Sequence, residues 1–264
     1  MASIILFLAI LHAKPQCFEK NVAFQSGEVV NYDVIYHWHF IWIEAGEVEF
    51  RVTDKIYKEK PVYHFHGYGK TLKKHEWIYK VDDTFQSYLD KEALKPVWFN
   101  QDTEEGGHKT NNRYIFDNAN KLLFTSTESS KNPHKDQILA LPDCTFDLIS
   151  LIYYSRNIDF STININDTIP VKAIIDDEIN NLYIRYLGKE EIELKDGRKY
   201  RCQKFSALLV EGTIFKGGED MFVWVTDDRN KIPVLIEAKI LVGSVKAIFR
   251  DATGLINYPE TSIK

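Results

Sequence analysis

Apolar and polar positions alternate with a period of two along most of this chain, a pattern typical of β-strands. Residues 29–43, VVNYDVIYHWHFIWI, place most of their aromatic rings on one parity. Glu44, Ala45 and Gly46 interrupt the alternation, as a bulge or a turn does. We therefore predict one long strand over residues 29–43 with an aromatic face, followed by a second strand at residues 47–54.

Further strands and hairpins continue the pattern towards the C-terminus. Strands are expected at residues 61–69, 84–90 and 96–101. Turn residues at 117–120 (DNAN) and the dipeptide Asp196-Gly197, which suits the positive φ angles of tight turns, each indicate a hairpin. Together these signals predict roughly fourteen strands.

One segment lacks the period of two. In residues 141–158 the apolar side chains cover most of the circumference of a helix, and Pro142 with Asp143 favours a helix start. We predict one apolar helix around residues 143–157, with no linker beside it. The expected fold class is all-β and mainly antiparallel: a large curled sheet or open barrel whose concave face is filled by this helix.

The first residues have a different character. The run IILFLAIL in residues 4–11 is too short to span a bilayer, and it is followed by the small residue Ala13. This predicts a signal peptide over residues 1–13 and a single β domain over residues 14–264, exported to the periplasm or cell envelope. The later sequence contains no transmembrane helix pattern, and Gln16 disfavours a lipid anchor on Cys17.

Charge and cysteines narrow the classes of function. The formal net charge is -5 with both signs interspersed, which argues against nucleic acid as a partner. The most basic segment, KTLKKHE at residues 70–76, is short and fits a solvated strand end or loop.

Two alternatives remain for the cysteines: Cys144 could pair with Cys202, or all three thiols could be unpaired apolar residues, which the spacing favours.

Several segments resemble the exported bacterial family known as domain of unknown function 3108. They occur in matching order over nearly the whole mature chain: residues 24–34, 80–90, 94–99, 147–158 and 221–249. The resemblance implies an envelope protein that is mostly antiparallel β, with no established activity and no catalytic residues to carry over. More distantly, such folds are similar to the half-barrel carriers of outer-membrane lipoproteins, which enclose acyl chains, an analogy of fold alone.

Two His-x-His motifs are the sharpest candidates for chemistry. His37 and His39, like His64 and His66, share a strand face if both lie in regular strands. Four imidazoles could then converge on Zn²⁺ or Cu²⁺ if the two strands are neighbours. The alternative is that these histidines are polar aromatic residues on half-exposed faces, which is the commoner role.

The carboxylate clusters at residues 82–83, 176–178 and 227–228 favour turns and solvent, since sequence neighbours on a strand point to opposite faces. The segment TDDRN at residues 226–230 is therefore expected to be a polar corner between two strands. No nucleophile, zinc-protease or phosphate-loop motif is present. The sequence predicts a protein that is not an enzyme and has no cofactor.

The aromatic residues suggest a binding role. They could line an apolar cavity or fill a solid core, and core packing is the more common outcome. The candidate ligand-binding residues are Tyr32, Tyr36, Trp38, Trp42, Trp98 and Trp224. The leading hypothesis is an exported envelope protein that binds or carries an apolar small molecule or lipid. The alternatives are a protein–protein interaction or structural module of the envelope, and a metal-dependent enzyme or metal-binding protein.

Overall fold

A computed structural model describes residue 17 and residues 20–210, 217–240, 243–257 and 262–263. The predicted signal peptide, residues 1–13, lies outside the described residues. The described strands are β1 Val29–Trp38, β2 Ile41–Tyr57, β3 Lys60–Thr71, β4 Val81–Asp90, β5 Pro96–Glu105, β6 His108–Asp117, β7 Leu122–Ser129, β8 Lys135–Ala140, β9 Thr145–Phe146, β10 Thr168–Ile175, β11 Glu178–Glu193, β12 Lys199–Leu209, β13 Gly218–Thr226, β14 Pro233–Lys239, β15 Ser244–Thr253 and β16 Ser262–Ile263. Short 3₁₀ turns occur at Lys73–His75 and Phe160–Thr162.

The strands form one sheet with a simple order. β1 to β8 are successive antiparallel neighbours, β15 back to β10 form a second such series, and β1 pairs with β15 to join the two. β9 pairs in parallel with β10, and β16 adds to β12. The predicted all-β, mainly antiparallel fold is confirmed, and backbone pairing between the described strands does not close the sheet into a complete barrel.

The helix is shorter than predicted. α1 spans Leu148–Ser155, and its N-cap is Asp147, whose carboxylate accepts a hydrogen bond from the backbone N–H of Ser150 at 2.9 Å. The expected start at Pro142 and Asp143 was wrong, because the chain first adds the two-residue strand β9 to the sheet. Ser87 also donates to Asp147 at 2.8 Å. Burial nevertheless raises the pKa of the Asp147 carboxyl to about 6.

The single strand predicted over residues 29–43 is in fact a hairpin. The chain turns between β1 and β2, where His39 adopts a left-handed backbone conformation with φ of 53°. Histidine is among the residues that tolerate this region, so a turn forms without glycine, proline, asparagine or aspartate. The expected interruption at residues 44–46 is present as a register shift within β2, opposite Val34 and Ile35.

The concave side of the sheet is filled by α1 and aromatic side chains. Tyr153 of α1 stacks on Phe65 of β3 with ring centroids 4.1 Å apart, and Phe24 meets both rings edge-on. A Cβ atom on Gly67 would lie only 3.0 Å from Ile149, so glycine lets the helix approach β3 closely. These contacts produce a densely packed core around the helix.

Side chains near the β10–β11 turn form hydrogen bonds with strands at the other end of the strand order. Asp177 accepts hydrogen bonds from Thr127 of β7 at 3.0 Å and from Gln137 of β8 at 3.3 Å. Asn112 of β6 donates to Asp176 at 3.3 Å. The carboxylates expected to be solvated turn residues thus join the two ends of the strand order.

A disulfide joins Cys17 to Cys144, with Cα atoms 5.6 Å apart. Both cysteine hypotheses were therefore wrong: Cys144 does not pair with Cys202, and the thiols are not all unpaired. Cys202 lies in the middle of β12, buried in a cluster with Trp224, while Cys144 is just before β9 at the end of the strand order. Burial raises the pKa of the Cys202 thiol to about 12.

A buried ion pair connects three distant segments. The side chains of Arg156 and Glu28 are 4% and 0% exposed, and the guanidinium donates to both carboxylate oxygens at 2.5 and 3.0 Å. Its other donors bond the carbonyls of Ala23 at 2.9 Å and Asn230 at 2.8 Å. Burial alone would lower the pKa of Arg156, but the carboxylate outweighs burial and the pKa is raised.

Removing the charge of Glu28 should destabilise the fold strongly. In Glu28→Gln the cation of Arg156 stays buried without a counter-charge, and the expected loss in free energy of unfolding is about 3–5 kcal/mol. Urea titrations at neutral pH measure this loss. Glu49→Gln is the matched control, because Glu49 pairs with Arg51 at 2.8 Å on the surface, where such pairs contribute about 1 kcal/mol or less. Equal losses in the two variants would contradict the assignment.

Candidate functional site

The structure does not bring the two His-x-His motifs together. β1 and β3 are both neighbours of β2 but not of each other. His37 lies opposite Trp42 on β2, whereas His66 lies opposite Arg51, so about 30 Å of strand separates them at ~3.3 Å per residue. His39 sits in the β1–β2 turn. Among the described residues, no group of three or more histidine, cysteine or carboxylate side chains is arranged to hold a metal ion.

His64 and His37 instead have local roles. Both ring nitrogens of His64 have partners, the hydroxyl of Thr53 and the side-chain oxygen of Gln86, each at 3.1 Å. Burial, with a smaller contribution from Lys55, lowers the pKa of His64 to about 4. The ring of His37 stacks on that of Trp42 with centroids 3.9 Å apart. His64 is therefore a neutral hydrogen-bonding residue at neutral pH.

The aromatic residues predicted to bind a ligand lie in separate environments. Tyr32 is buried beside Phe50 and Phe249. The indole N–H of Trp224 donates to Glu190 at 3.0 Å within a second cluster. Trp98 stacks on Tyr88 at 4.6 Å. Tyr36 and Trp42, both of the β1–β2 hairpin, are half-buried and half-exposed respectively. The side chain of Trp38 lies outside the described residues.

The structure therefore contains no shared cavity for these rings in its described part. A shallow cleft beside the disulfide, lined by Lys95, Leu141 and Phe146 among others, has a volume of about 10 Å³. That is no more than the space that one water molecule needs.

The segment TDDRN is a structural corner, as predicted. One carboxylate oxygen of Asp228 accepts hydrogen bonds from the hydroxyl of Thr226 at 2.8 Å and from the backbone N–H groups of Asn230 at 3.0 Å and Lys231 at 3.2 Å. Asp227 accepts from Gln203 at 2.6 Å and pairs with Lys189. The carbonyl of Asn230 is one of the groups that hold Arg156, so the corner also supports the buried ion pair.

A different surface stands out at one end of the sheet. The connection between β3 and β4, residues 72–80, presents Trp77 at 82% exposure together with Ile78 and Tyr79. Phe40, at the tip of the β1–β2 hairpin, is 89% exposed at the same end. We call these four residues, Phe40, Trp77, Ile78 and Tyr79, the apical patch. Trp77, Ile78 and Tyr79 are consecutive, and large apolar groups close together on a surface commonly mark interaction sites.

Sequence reasoning missed the apical patch. It assigned the basic run at residues 70–76 to a solvated loop and did not connect it with the three consecutive apolar residues that follow. The available signal was the failure of alternation in residues 77–79, outside any predicted strand. Their common location with Phe40 depends on strand pairing, because Gly46 of β2 lies opposite Thr71 of β3.

Comparisons with known proteins agree with this architecture. Residues 31–250 match the family model described as a protein of unknown function, DUF3108. The chain belongs to this family. Its fold is similar to that of a solved structure, a beta-barrel-like protein of domain of unknown function DUF1849 from Brucella abortus. The TM-score is 0.52 and the identity 8%, with 86% of this chain and 96% of the other covered. No curated protein matches the sequence.

The resemblance to DUF3108 inferred from the sequence is thus confirmed, and at 8% identity the Brucella protein supports the fold alone. The expectation that the chain has no transmembrane helix also has a structural counterpart. Within the described ranges, no helix has the length and apolar character needed to cross a membrane.

Loss of the Asp228 carboxylate should destabilise the corner without affecting surface binding. Asp228→Ala leaves three donors without their acceptor, so we expect the free energy of unfolding to fall by about 1–2 kcal/mol. Asp228→Asn, which keeps a side-chain oxygen, should lose less. Urea unfolding compares both with Asp220→Ala, a control whose carboxylate pairs with exposed Lys239. If the free energy of unfolding of Asp228→Ala equalled that of the wild type, a stabilising role for the Asp228 carboxylate would be contradicted.

Acid should weaken the fold partly through His64. An unfolded histidine titrates near 6.5 and the folded His64 near 4, so between these values the unfolded state binds more protons. The His64 contribution to stability is fully present above pH 6.5 and should fall by about 1–2 kcal/mol between pH 7 and pH 5. His64→Gln should remove this part of the pH dependence, measured by urea unfolding at both pH values. His134→Gln, an exposed histidine, is the control; an identical pH dependence in both variants would refute the assignment.

Proposed function

We propose that this DUF3108 protein is an exported, non-enzymatic protein of the cell envelope that binds an apolar partner, in the first place lipid, at its surface. The observation that carries the proposal is the combination of a filled interior with an exposed apical patch. Because α1 and its aromatic neighbours occupy the concave side, the apolar surface available for binding is on the outside.

Export is supported by the disulfide and by the N-terminal pattern. Disulfides persist in oxidising compartments and are rare in the cytosol. The Cys17–Cys144 bond lies close after the predicted signal peptide and ties the start of the mature chain to the segment before β9. A cysteine engaged in a disulfide is also not available for a thioether-linked lipid, which agrees with the expectation drawn from Gln16.

A non-enzymatic role is supported by the structural hydrogen bonds and ion pairs that the candidate carboxylates form. Asp147 caps α1, Asp177 bridges the ends of the strand order, and Glu28 neutralises Arg156. Asp228 organises the corner between β13 and β14. Each of these carboxylates accepts at least one hydrogen bond from a protein donor, which is typical of structural carboxylates.

A second candidate function is a protein–protein interaction module of the envelope. The observation that favours it is strand β8, which is the last strand of the main sheet and exposes Ile138 at 64%. An edge strand can add a strand from another chain through backbone hydrogen bonds. Binding by β8 would leave the apical patch free, so the two candidates can be separated by the position of the contact.

Site-specific photo-cross-linking in intact cells tests the proposed function. A photoreactive amino acid in place of Phe40 should give a defined lipid or protein adduct, because this ring lies in the apical patch. The same amino acid in place of Ile56, which is 73% exposed near the β2–β3 turn at the opposite end, should give none. Mass spectrometry of the purified protein should also find Lys14 as the N-terminus and a peptide pair linked through Cys17 and Cys144.

Four results would count against this function. Adducts of equal yield at both positions, or none at either, would remove the apical patch as the binding surface. An adduct only from a photoreactive residue at Ile138 would favour the interaction module. Recovery of the chain in the cytosol with free thiols would refute export.

A further inference from the structure

We propose that the β3–β4 connection, residues 72–80, docks on the surface of a bilayer that contains anionic lipid, with Trp77 and Ile78 entering the headgroup region. This inference makes the proposed function more specific. It rests on that function, because it requires the protein to be exported. It names the occupant of the apical patch: a lipid surface rather than a single lipid or a protein.

The segment has the distribution of side chains that suits a membrane interface. Trp77 is 82% exposed and is followed by exposed Ile78 and Tyr79. Lys73 and Lys74 precede them in a 3₁₀ turn and are both exposed. Aromatic rings prefer the interface of a bilayer, and lysine can keep its ammonium in the headgroups while its alkyl stem covers apolar surface.

The indole of Trp77 can leave water without losing a hydrogen bond. Its only polar group, the ring N–H, donates to the carbonyl of Lys74 at 3.0 Å inside the same connection. Insertion of an unpaired donor into an apolar medium would be opposed by a large desolvation penalty. Here that penalty is avoided before any contact with lipid, although the ring remains almost fully exposed.

Several backbone groups of the connection are also hydrogen-bonded within it. The N–H of His75 bonds the carbonyl of Leu72 at 2.8 Å, and the N–H of Ile78 bonds the carbonyl of His75 at 2.9 Å. The hydroxyl of Thr71 donates to the carbonyl of Tyr79 at 3.0 Å and accepts from the N–H of Val81 at 2.9 Å. The turn is thereby held in shape, so little ordering entropy is lost when it binds.

Charge complementarity points to anionic headgroups. Lys70 pairs with Glu47 at 2.9 Å and Lys80 pairs with Glu104 at 3.0 Å, while the carboxylates of Asp83 and Glu105 lie on the β4–β5 side of the connection, next to Tyr79. Lys73 and Lys74 form no ion pair among the described residues, and Glu76 is the one acid of the connection. Two free ammonium groups beside exposed apolar rings favour a negatively charged lipid surface over a neutral one.

Vesicle flotation with the mature, disulfide-bonded protein tests the inference. One set of vesicles is phosphatidylcholine alone, and the other is an equimolar mixture of phosphatidylcholine and phosphatidylglycerol. The protein should float with the mixed vesicles, and binding to phosphatidylcholine alone should be much weaker. Binding to the mixed vesicles should weaken as salt is added, because exposed charges are screened.

Substitutions in the β3–β4 connection show which residues contact the vesicle surface. The double change Lys73→Gln and Lys74→Gln should weaken binding to mixed vesicles about 30-fold, at roughly fivefold for each lysine near an anionic surface. Trp77→Ala should weaken it about tenfold through lost apolar contact. Ile56→Ala, at the opposite end, and Trp98→Phe, which changes a ring stacked on Tyr88, should bind like the wild type. Unchanged thermal melts show that each variant is folded.

A second measurement identifies the inserted ring. Lipids brominated in the upper acyl chain should quench part of the tryptophan fluorescence of the wild type. Trp77→Phe should lose this quenching while it keeps most of its binding, and Trp98→Phe should retain the quenching. This readout separates insertion of Trp77 from a general effect of the substitution on charge or stability.

The inference is overturned if the protein floats with neither kind of vesicle, or if it binds both kinds equally and the lysine variant has no effect. It is also overturned if quenching persists in Trp77→Phe. In each case the photo-cross-linking at Phe40 decides the proposed function separately: a defined protein adduct there would keep a surface-binding role and replace the bilayer with a protein partner.

Discussion

The buried pair of Arg156 and Glu28 is the constraint on which the rest of the structure depends. A guanidinium inside a protein is tolerated only when its charge is neutralised and its donors are used. Here those partners come from the approach to β1 and from the β13–β14 corner, while Arg156 itself follows α1. One side chain thereby holds the helix against both series of strands, and the helix cannot leave the concave face without exposing an unpaired buried charge.

That constraint bears directly on function. A curled sheet with an empty concavity could enclose an acyl chain, but this sheet is filled by α1 and stacked rings such as Phe65 and Tyr153. The binding that we propose is therefore at the periphery, where connections between strands vary freely without disturbing the core. The β3–β4 connection carries aromatic rings on a turn whose backbone is partly hydrogen-bonded within itself, so the sheet presents a small preformed surface.

Some elements of the structure could be predicted from the sequence and others could not. Alternation and turn residues predicted the strands, the β6–β7 and β11–β12 hairpins and the corner at TDDRN, because these features are local. The turn at His39 was missed, since nothing in its residue types distinguishes it from a strand. The disulfide was also missed: cysteine spacing along the chain carries no information about which cysteines meet across the sheet.

The sequence by itself determined the β-rich class, the one apolar helix and membership in DUF3108, because periodicity and family motifs are written in consecutive residues. Only the tertiary structure decided which face each ring occupies, and it separated the two His-x-His motifs by placing β2 between their strands. It also placed Phe40 and Trp77 at one end of the sheet. Such proximity is set by strand order and register, which depend on contacts between residues far apart in the chain.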